Sequence, residues 1–389
     1  ASPSARRDLV LLDNPLESAY HAAMSLFRNA LLGLMLLSLM GCVRQGFRNG
    51  GDHGAGPPSD GGQPEAASAD TSRLDGPSDG APADLLRDLL SSDLIVHDTL
   101  SPDVGVPAPS TNLVKTYGGS SADVASGLAI DATANVHVVG SFSSTVDLGD
   151  GNEQSAGAKD IFLAKYDANG AARWVKTFGA SNTDIGSGVA VDSQGRVALV
   201  GYFQDRVDFG GPNPLESKGS YDIVLALFNK DGSTRWAKGF GGTTFDMGHG
   251  VAFDSSGNIT ITGTIQGGVD FGGGTRACGG AWDMFVASFD ANGGHRWSRC
   301  FGVGGDDFGY AVTTDAAGAV YVTGRFSRTV NFGTGALAAP DAGSLFVVKF
   351  DSQGVTQWAK RHGDPAKSAS GEGITVGPQG ELIVTGSFK

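Results

Sequence analysis

Cysteine is scarce in this chain of 389 residues, which has three. Three cysteines cannot build the dense disulfide framework of a small secreted domain, and their positions give no Cys-x-x-Cys zinc or redox motif. The sequence also has no His-Glu-x-x-His, no Gly-x-Ser-x-Gly and no P-loop, and its seven histidines do not recur at a fixed spacing. We therefore assign no catalytic and no metal-binding residue from motifs.

Basic residues are in deficit, with 28 Lys and Arg against 41 Asp and Glu and a formal net charge of −13. The chain therefore lacks the clustered positive surface that neutralises phosphates in nucleic-acid complexes. We expect no nucleic-acid partner.

Long apolar runs are also missing. The longest candidate is residues 30–40, with 11 residues, which is too short to span a bilayer as a mature helix. Residues 24–29 place one positive charge before this run, and Gly41 and Cys42 follow it. This layout is that of a secretory signal, and it predicts a signal peptide over residues 24–41. The alternative is an ordinary buried apolar helix followed by a chance cysteine.

The residues around Cys42 resemble the lipobox of bacterial lipoproteins, which here reads Leu39-Met40-Gly41-Cys42. The resemblance implies cleavage before Cys42 and lipidation of its thiol and new α-amino group. Several acyl chains would anchor the protein stably to a membrane. Residues 1–23 do not fit ahead of a signal, so we expect them to be an upstream extension, with translation starting at Met24. Val43, in place of Asp after the lipidated cysteine, favours the outer membrane in lipoproteins of double-membrane bacteria.

Residues 42–111 are rich in Gly, Pro, Ser, Ala and Asp and have almost no aromatic residue. Such a composition cannot bury enough surface to fold, so we expect a disordered tether. From residue 43 on it carries four basic and eleven acidic residues, and this repulsion between like charges would extend it.

A unit of about 61 residues repeats through the second half of the chain. Two markers keep this spacing independently, a tryptophan and an aspartate. The tryptophans are Trp174, Trp236, Trp297 and Trp358, and the aspartates are Asp131, Asp192, Asp254 and Asp315. A period of this length indicates how a protein is built, and it says much less about what the protein binds.

The second repeat shows the strands of one unit. An apolar run at 188–192 is followed by a turn with Gly195 and by residues 196–203, which alternate as a returning strand. Residues 222–228 are almost continuously apolar, as in a strand covered on both faces, and residues 233–240 read as a fourth strand. Two hairpins per repeat predict an all-β fold, a β-propeller of four-stranded antiparallel blades. A β-sandwich or another all-β repeat array is the alternative.

The repeats occupy residues 112–389, as four full blades with partial blades at both ends. Residues 113–119 match a fourth strand, which would latch the ring, and residues 373–389 supply two strands of another blade. Either a ring of five blades closes imperfectly, or the chain is truncated at its C-terminus. We favour truncation.

Aspartates recur at several places in the repeat. One set lies just before the first strand of each unit, in loops that would meet around the channel mouth: Asp123, Asp184, Asp246 and Asp307. These residues form either a face that binds a cation or a sugar, or carboxylates that accept hydrogen bonds from backbone N–H groups in their own turns. Regular repetition favours the backbone role. We therefore expect no cofactor, and Ca²⁺ is the one metal that these acids could hold.

Two further sets are expected to be structural. Asp-x-x-Gly turns carry Asp167, Asp290 and Asp351, and the Val-Asp-Phe-Gly loops carry Asp147, Asp208, Asp270 and Asn331. The tryptophans are expected to pack blade against blade. Cys278 and Cys300 lie in one repeat and form a candidate disulfide, with two separate thiols as the alternative.

The sequence from Gly250 to Gly263 (GVAFDSSGNITITG) resembles the bacterial β-propeller repeats often called SBBP. The resemblance covers residues 112–389, and it implies an exported or surface protein without implying any catalytic motif. We expect a lipid-anchored module of the outer membrane or cell surface that binds a protein or a polysaccharide. The alternatives are a structural envelope spacer, and an exported glycan lyase or hydrolase, for which Asp306 and His249 are the candidate residues that break the repeat.

Replacing Cys42 by Ser tests the anchor. The thiol is the expected site of lipid attachment, so Cys42→Ser should abolish incorporation of labelled fatty acid and move the protein from the membrane to the soluble fraction. The control is Cys278→Ser, which keeps the lipobox. Unchanged membrane association of the Cys42→Ser protein would contradict the lipoprotein prediction.

Overall fold

The computed structural model describes residues 115–340, 343–364 and 367–388. Within these ranges every regular element is a β-strand. The same residues contain no helix with the length and hydropathy needed to cross a membrane. Four sheets each contain four long antiparallel strands in the order of the chain, and a fifth sheet contains two. The protein is a β-propeller with four-stranded blades, as the sequence predicts. The predicted signal peptide, Cys42 and the tether lie outside the described residues.

The first two blades contain the following strands, in which short strands interrupt the four long ones. The first blade and its flank comprise β1 (Gly118–Gly119), β2 (Val124–Ile130), β3 (Val136–Phe142), β4 (Thr145–Asp147), β5 (Asn152–Gln154), β6 (Asp160–Tyr166) and β7 (Ala172–Phe178). The second comprises β8 (Ile185–Val191), β9 (Val197–Phe203), β10 (Arg206–Val207), β11 (Leu215–Glu216), β12 (Asp222–Phe228) and β13 (Thr234–Phe240).

The remaining blades repeat this order. The third comprises β14 (Asp246–Phe253), β15 (Ile259–Ile265), β16 (Gly268–Asp270), β17 (Thr275–Ala277), β18 (Asp283–Phe289) and β19 (His295–Phe301). The fourth comprises β20 (Asp307–Thr314), β21 (Val320–Phe326), β22 (Thr329–Asn331), β23 (Ala336–Ala338), β24 (Ser344–Phe350) and β25 (Thr356–His362). The fifth comprises β26 (Ala369–Val376) and β27 (Leu382–Phe388).

The long strands follow the apolar pattern of the sequence. In the second blade, the four predicted strands correspond to β8, β9, β12 and β13, and β12 is buried along its whole length. The hairpins between them are closed by their aspartates. Oδ1 of Asp192 accepts the N–H groups of Gln194 and Arg196, both at 2.9 Å, and Gly195 has a φ of 76°. The same two hydrogen bonds recur at Asp131, Asp167, Asp254, Asp290, Asp315 and Asp351, so these turns have the predicted hairpin chemistry.

The Val-Asp-Phe-Gly loops are more ordered than the sequence indicates. Each belongs to a short ribbon between the second and third long strands, such as β10 with β11. Val207 and Phe209 are buried, and the Phe209 ring lies 5.0 Å from that of Phe178. Asp208 accepts the N–H of Gly210 at 2.8 Å. The loop therefore folds its two apolar side chains into the core and uses its acid to close the turn.

Most of the apolar core lies between blades, and a smaller cluster around Phe142 and Phe162 lies within the first blade. One cluster joins the second blade to the third, another joins the first to the second, and a third joins the third to the fourth. On the inner side of the propeller, the first strands of successive blades approach backbone to backbone. A Cβ on Gly188 would lie 2.7 Å from the carbonyl oxygen of His249 in the next blade, and a Cβ on Gly250 would lie 3.0 Å from that of Tyr310. Glycine at these positions lets the first strands pack closely.

The repeated tryptophans join each blade to the next, as predicted. The indole Nε1 of Trp174 donates to the carbonyl of Lys230 at 3.3 Å, and Trp297 donates to Ser352 at 3.1 Å. Trp236 makes the equivalent bond to Ala291 at 3.1 Å. Each acceptor lies in the hairpin between the third and fourth strands of the following blade.

The N-terminal flank differs from the prediction of a fourth strand at 113–119. Of the described residues 115–119, only Gly118–Gly119 are in a strand, and they pair with β4 of the first blade. A fourth strand needs a third strand beside it, and the fifth blade has two strands in the part of the chain that the structure describes.

Replacing Gly354 by Ala tests the contact between tryptophan and hairpin. Gly354 has a φ of 76°, and a Cβ there would lie 2.4 Å from Cδ2 of Trp297. We expect a loss of about 2 to 4 kcal/mol in the free energy of unfolding, from positive φ and overpacking together. Gly318→Ala is the control, because its φ is 80° and its nearest neighbour atom is 3.7 Å away. Equal losses in the two variants, measured by denaturant unfolding, would rule out a special role for the ring contact.

Candidate functional site: an aromatic track

Two kinds of connection meet at one end of the first three blades. They are the loop that enters the third strand and the loop that enters the first strand of the next blade. Isolated parallel bridges join them, with Tyr221 beside Phe245 and Trp282 beside Asp306. Side chains in these loops therefore form a continuous surface from blade to blade.

An aromatic track runs along this surface from the second blade to the fourth. We define it as Tyr202, Tyr221, Phe245, Trp282, Phe308, Tyr310 and His249. Consecutive ring centroids lie 5.2, 5.7, 6.0, 6.3, 5.8 and 5.5 Å apart in that order. Phe245 is 37% exposed and the other six rings are partly exposed. The seven rings therefore form a continuous chain of ring contacts, and each residue keeps part of its surface exposed.

The track breaks the symmetry of the repeats. The place of Tyr221 and Trp282 is taken by Lys159 in the first blade, and the place of Phe245 is taken by Thr183 and Asp306. A residue that packs blades together should recur in every blade, whereas these rings do not. Packing between blades therefore does not account for these rings.

The inner end of the track lies on the first strands of the third and fourth blades. His249 and Tyr310 occupy equivalent β-bulges in β14 and β20, and their rings stack with centroids 5.5 Å apart. His249 Nδ1 donates to the carbonyl of Gly309 at 3.1 Å. The fifth blade has Glu372 at the same bulge. The three side chains thus follow one another along the inner strands.

Burial keeps both rings uncharged. It lowers the pKa of His249 and raises the pKa of Tyr310; the charge of Arg325 acts to lower the pKa of Tyr310, and the charge of Glu372 acts to raise it. A tyrosine that acts as a base needs a lowered pKa, so the surroundings of Tyr310 are opposite to what a lyase would require. Asp306 stays exposed beside Trp282 and gives the middle of the track a hydrogen-bond acceptor.

The acids expected around the channel mouth are mostly inside the protein. Asp184, Asp246 and Asp307 are fully buried, and Asp123 is partly exposed. Asp184 accepts the N–H groups of Ala180 at 3.1 Å and Gln204 at 3.0 Å, and Asp246 accepts those of Gly242 and Gln266. Asp123 accepts the N–H of Gly119 at 2.7 Å. Of the two interpretations, the geometry matches carboxylates that serve the backbone.

Cys278 and Cys300 are joined as a disulfide in the third blade. Their sulfurs and a carboxylate oxygen of Asp283 lie within 4.8 Å of one another, which is the one cluster of three potential metal ligands in the described ranges. Because both sulfurs are in the disulfide bond, this cluster is not available to a metal. The disulfide ties the loop before β18, which carries Trp282, to the fourth strand of the same blade.

The sequence analysis named His249 and the neighbouring Asp306 as candidates, but it missed the other six rings of the track. One signal was available, since Trp282 is the one tryptophan of five that is out of phase with the 61-residue period. Aromatic residues at positions where the repeats disagree, such as Tyr221 and Phe245, would have completed the set. The register of the loops, which brings them side by side, was not readable from the sequence.

No protein-family model matches the chain. It is 28% identical over 167 residues to the regulatory protein FlaEY of Caulobacter vibrioides, a match that covers 42% of this chain and 17% of that protein. It is 23% identical over 155 residues to a WD repeat-containing protein of Acanthamoeba polyphaga mimivirus, covering 36% of this chain and 11% of that protein. The chain thus matches less than a fifth of the length of each.

Among solved structures, the chain is similar to a gluconolactonase of Xanthomonas campestris, with 14% identity, a TM-score of 0.36 and coverage of 67% of this chain and 68% of the other. The WD40 β-propeller domain of Doa1 gives 12% identity, a TM-score of 0.30 and coverage of 70% and 92%. At these scores the neighbours carry no argument about this chain, and the propeller assignment rests on its own strand pairing.

Removing the disulfide tests how the Trp282 loop is held. Cys278 and Cys300 are separated by 22 residues in sequence, so the Cys278→Ser/Cys300→Ser variant should lose about 2 to 4 kcal/mol of unfolding free energy. Dithiothreitol should lower the melting temperature of the parent protein and leave that of the variant unchanged. Equal stability of the parent with and without reductant would show that the bond does not hold the blade.

Proposed function

We propose that the protein is a lipid-anchored propeller of the bacterial cell envelope that binds a polysaccharide along the aromatic track. The observation that carries the proposal is the line of partly exposed rings that crosses three blades without following their repeat. Symmetry broken at solvent-facing positions is what a ligand site adds to a repeat scaffold.

The shape and chemistry of the track favour a sugar chain. The rings form a narrow line, and backbone loops, Thr244 and Asp306 border it with hydrogen-bonding groups. An extended polysaccharide presents apolar C–H faces that can stack on rings, with hydroxyl groups at its sides. A protein partner of stable affinity would be served better by a broad apolar patch with a polar rim.

The two alternatives have less support. A lyase or hydrolase needs an activated base or acid, whereas burial raises the pKa of Tyr310 and His249 is held by a backbone carbonyl. A spacer without a ligand would have no use for surface rings that depart from the repeat. No cofactor enters the proposal, and Ca²⁺ is included in the test below as a control.

The proposed location in the cell envelope is inferred from the sequence. The lipobox at Cys42 supports a membrane anchor, and the tether at 42–111 would hold the propeller away from the lipid. The resemblance to SBBP repeats supports an exported protein, and Val43 supports the outer membrane or cell surface. Protease added to intact cells of the host should then release the repeats by cleaving within the tether.

Replacing Trp282 by Ala is the central test. Trp282 lies in the middle of the track, within 6.0 Å of Phe245 and 6.3 Å of Phe308, so its loss interrupts the line. We expect binding to envelope polysaccharides, measured by affinity electrophoresis and titration calorimetry, to weaken about tenfold or more. Phe245→Ala should weaken binding by a similar factor.

The matched control is Trp358→Ala, which removes the same side chain from the fourth strand of the fourth blade, away from the track. Affinity should be unchanged in that variant, and EDTA or added Ca²⁺ should not alter it. If Trp282→Ala and Trp358→Ala bind equally, or the parent captures proteins and no glycan, the polysaccharide proposal is wrong.

A further inference from the structure

Three junctions between blades contain a pair of buried aspartates. One member begins the third strand of a blade, and the other lies at the start of the first strand of the next blade. The pairs are Asp160 with Asp184, Asp222 with Asp246, and Asp283 with Asp307. All six residues are at most 4% exposed. In every pair the backbone bridge described above precedes both acids, so the two carboxyl groups start from neighbouring positions.

The third junction shows how close the carboxyl groups are. A Cβ added to Gly302 would lie 2.0 Å from Oδ1 of Asp283 and 2.9 Å from Oδ2 of Asp307. Both oxygens therefore lie within 2.9 Å of the same point. In the first two junctions, Gly179 and Gly241 lie against the carboxyl groups of Asp160 and Asp222, one acid of each pair.

Each pair has one oxygen without a hydrogen-bond donor. In the second junction, Lys218, Gly242 and Gln266 donate three N–H groups to three of the four oxygens, and Oδ1 of Asp222 has no partner. In the first, Oδ1 of Asp160 is left over, and in the third it is Oδ2 of Asp307. The N–H groups of Gly157, Gly219 and Val303 act to lower the pKa of Asp160, Asp222 and Asp307, but none makes a hydrogen bond to the unpaired oxygen.

The charges that face the pairs are mostly negative. Asp205 acts on Asp184, and Asp306 acts on Asp307, and both raise the pKa of the buried acid. Lys218 is the one cation among these influences, and it faces Asp222. Two buried like charges without a counter-ion are strongly unfavourable, and one proton shared between two carboxyl groups removes the repulsion and supplies the missing donor.

We propose that each of these three junctions holds one proton shared between its two carboxyl groups, and that loss of this proton to solvent loosens the contact between the blades. The fourth junction supports the pairing. It has Ser344 and Ala369 at the two positions, so both acids are absent together. A lone carboxylate left there would have no partner with which to share a proton.

The pH range follows from the direction of the shifts. Burial, chiefly, raises the pKa of Asp184 and Asp246 to about 6 and of Asp307 to about 7, while an unfolded aspartate titrates at about 3.9. A raised pKa means that the folded state holds the proton more tightly than the unfolded state does. The protonated pairs therefore make their full contribution to the free energy of unfolding below about pH 4, and this contribution is lost as the pH rises through about 6 to 7.

The test compares unfolding of the full chain and of Asp222→Asn between pH 4 and pH 8. The Asn amide donates to Asp246 at every pH, so the stability of the variant relative to the parent should increase about tenfold in equilibrium constant per pH unit from pH 4 to about pH 6. The infrared band of protonated carboxylic acid at pH 5.5 should also be weaker in the variant. The control is Asp208→Asn, an exposed acid whose place Asn331 takes in the fourth blade, and it should leave both measurements unchanged.

A second variant keeps the proposal testable if the Asp222→Asn protein does not fold. Ser344→Asp/Ala369→Asp would create the missing fourth pair, and the pH dependence of stability should steepen by up to a further tenfold per pH unit. Parallel stability curves for Asp222→Asn and the parent, with no loss of the infrared band, would overturn the proposal. Stabilisation of the parent by Ca²⁺ that Asp222→Asn does not show would also overturn it, because the pair would then hold a cation. None of these readouts depends on the polysaccharide.

Discussion

The propeller depends on burial between neighbouring blades. Three of the apolar clusters consist of side chains from two adjacent sheets, and a smaller one lies within the first blade. The first strands touch through glycines on the inner side, and the tryptophans reach the next hairpin on the outer side. Ribbons such as the one around Phe209 fill the space between these two contacts. Stability in such a repeat array is largely a sum over neighbouring pairs of blades, so the junctions are where small chemical changes have the largest effect.

Much of the fold was predictable because it is encoded locally and repeated. The strand pattern around Val197–Phe203 and the Asp192 turn follow from alternation and from turn chemistry. The N-terminal flank was mispredicted as a blade strand, because similarity to Val175–Gly179 in the repeat does not reveal whether a pairing partner is available. The sequence also underestimated the ribbons, whose strands are two or three residues long and have no clear period.

The candidate site was less predictable, since it depends on contacts between residues far apart in sequence. Tyr221 and Phe245 are 24 positions apart and become neighbours only through a single backbone bridge between blades. The repeated acids invited a search for a ligand face, but Asp246 and Asp307 are buried. Both adjoin track residues in sequence, Asp246 next to Phe245 and Asp307 next to Phe308. The rings, which differ among blades, and the buried aspartates, which recur, thus lie in the same short loops. A ligand on the rings and a change at the carboxyl groups would act on the same segments of backbone.

The bond from tryptophan to hairpin has a consequence for how such a protein can change over generations. Each unit of about 61 residues carries a donor for its successor and an acceptor for its predecessor, as Trp236 and Ala291 show. A gene segment of one unit that is duplicated or deleted in frame can therefore keep the tryptophan-to-hairpin bond at the new junction. Lineages can lengthen or shorten the array by recombination between copies without inventing a new interface, while single copies such as the third drift toward individual roles.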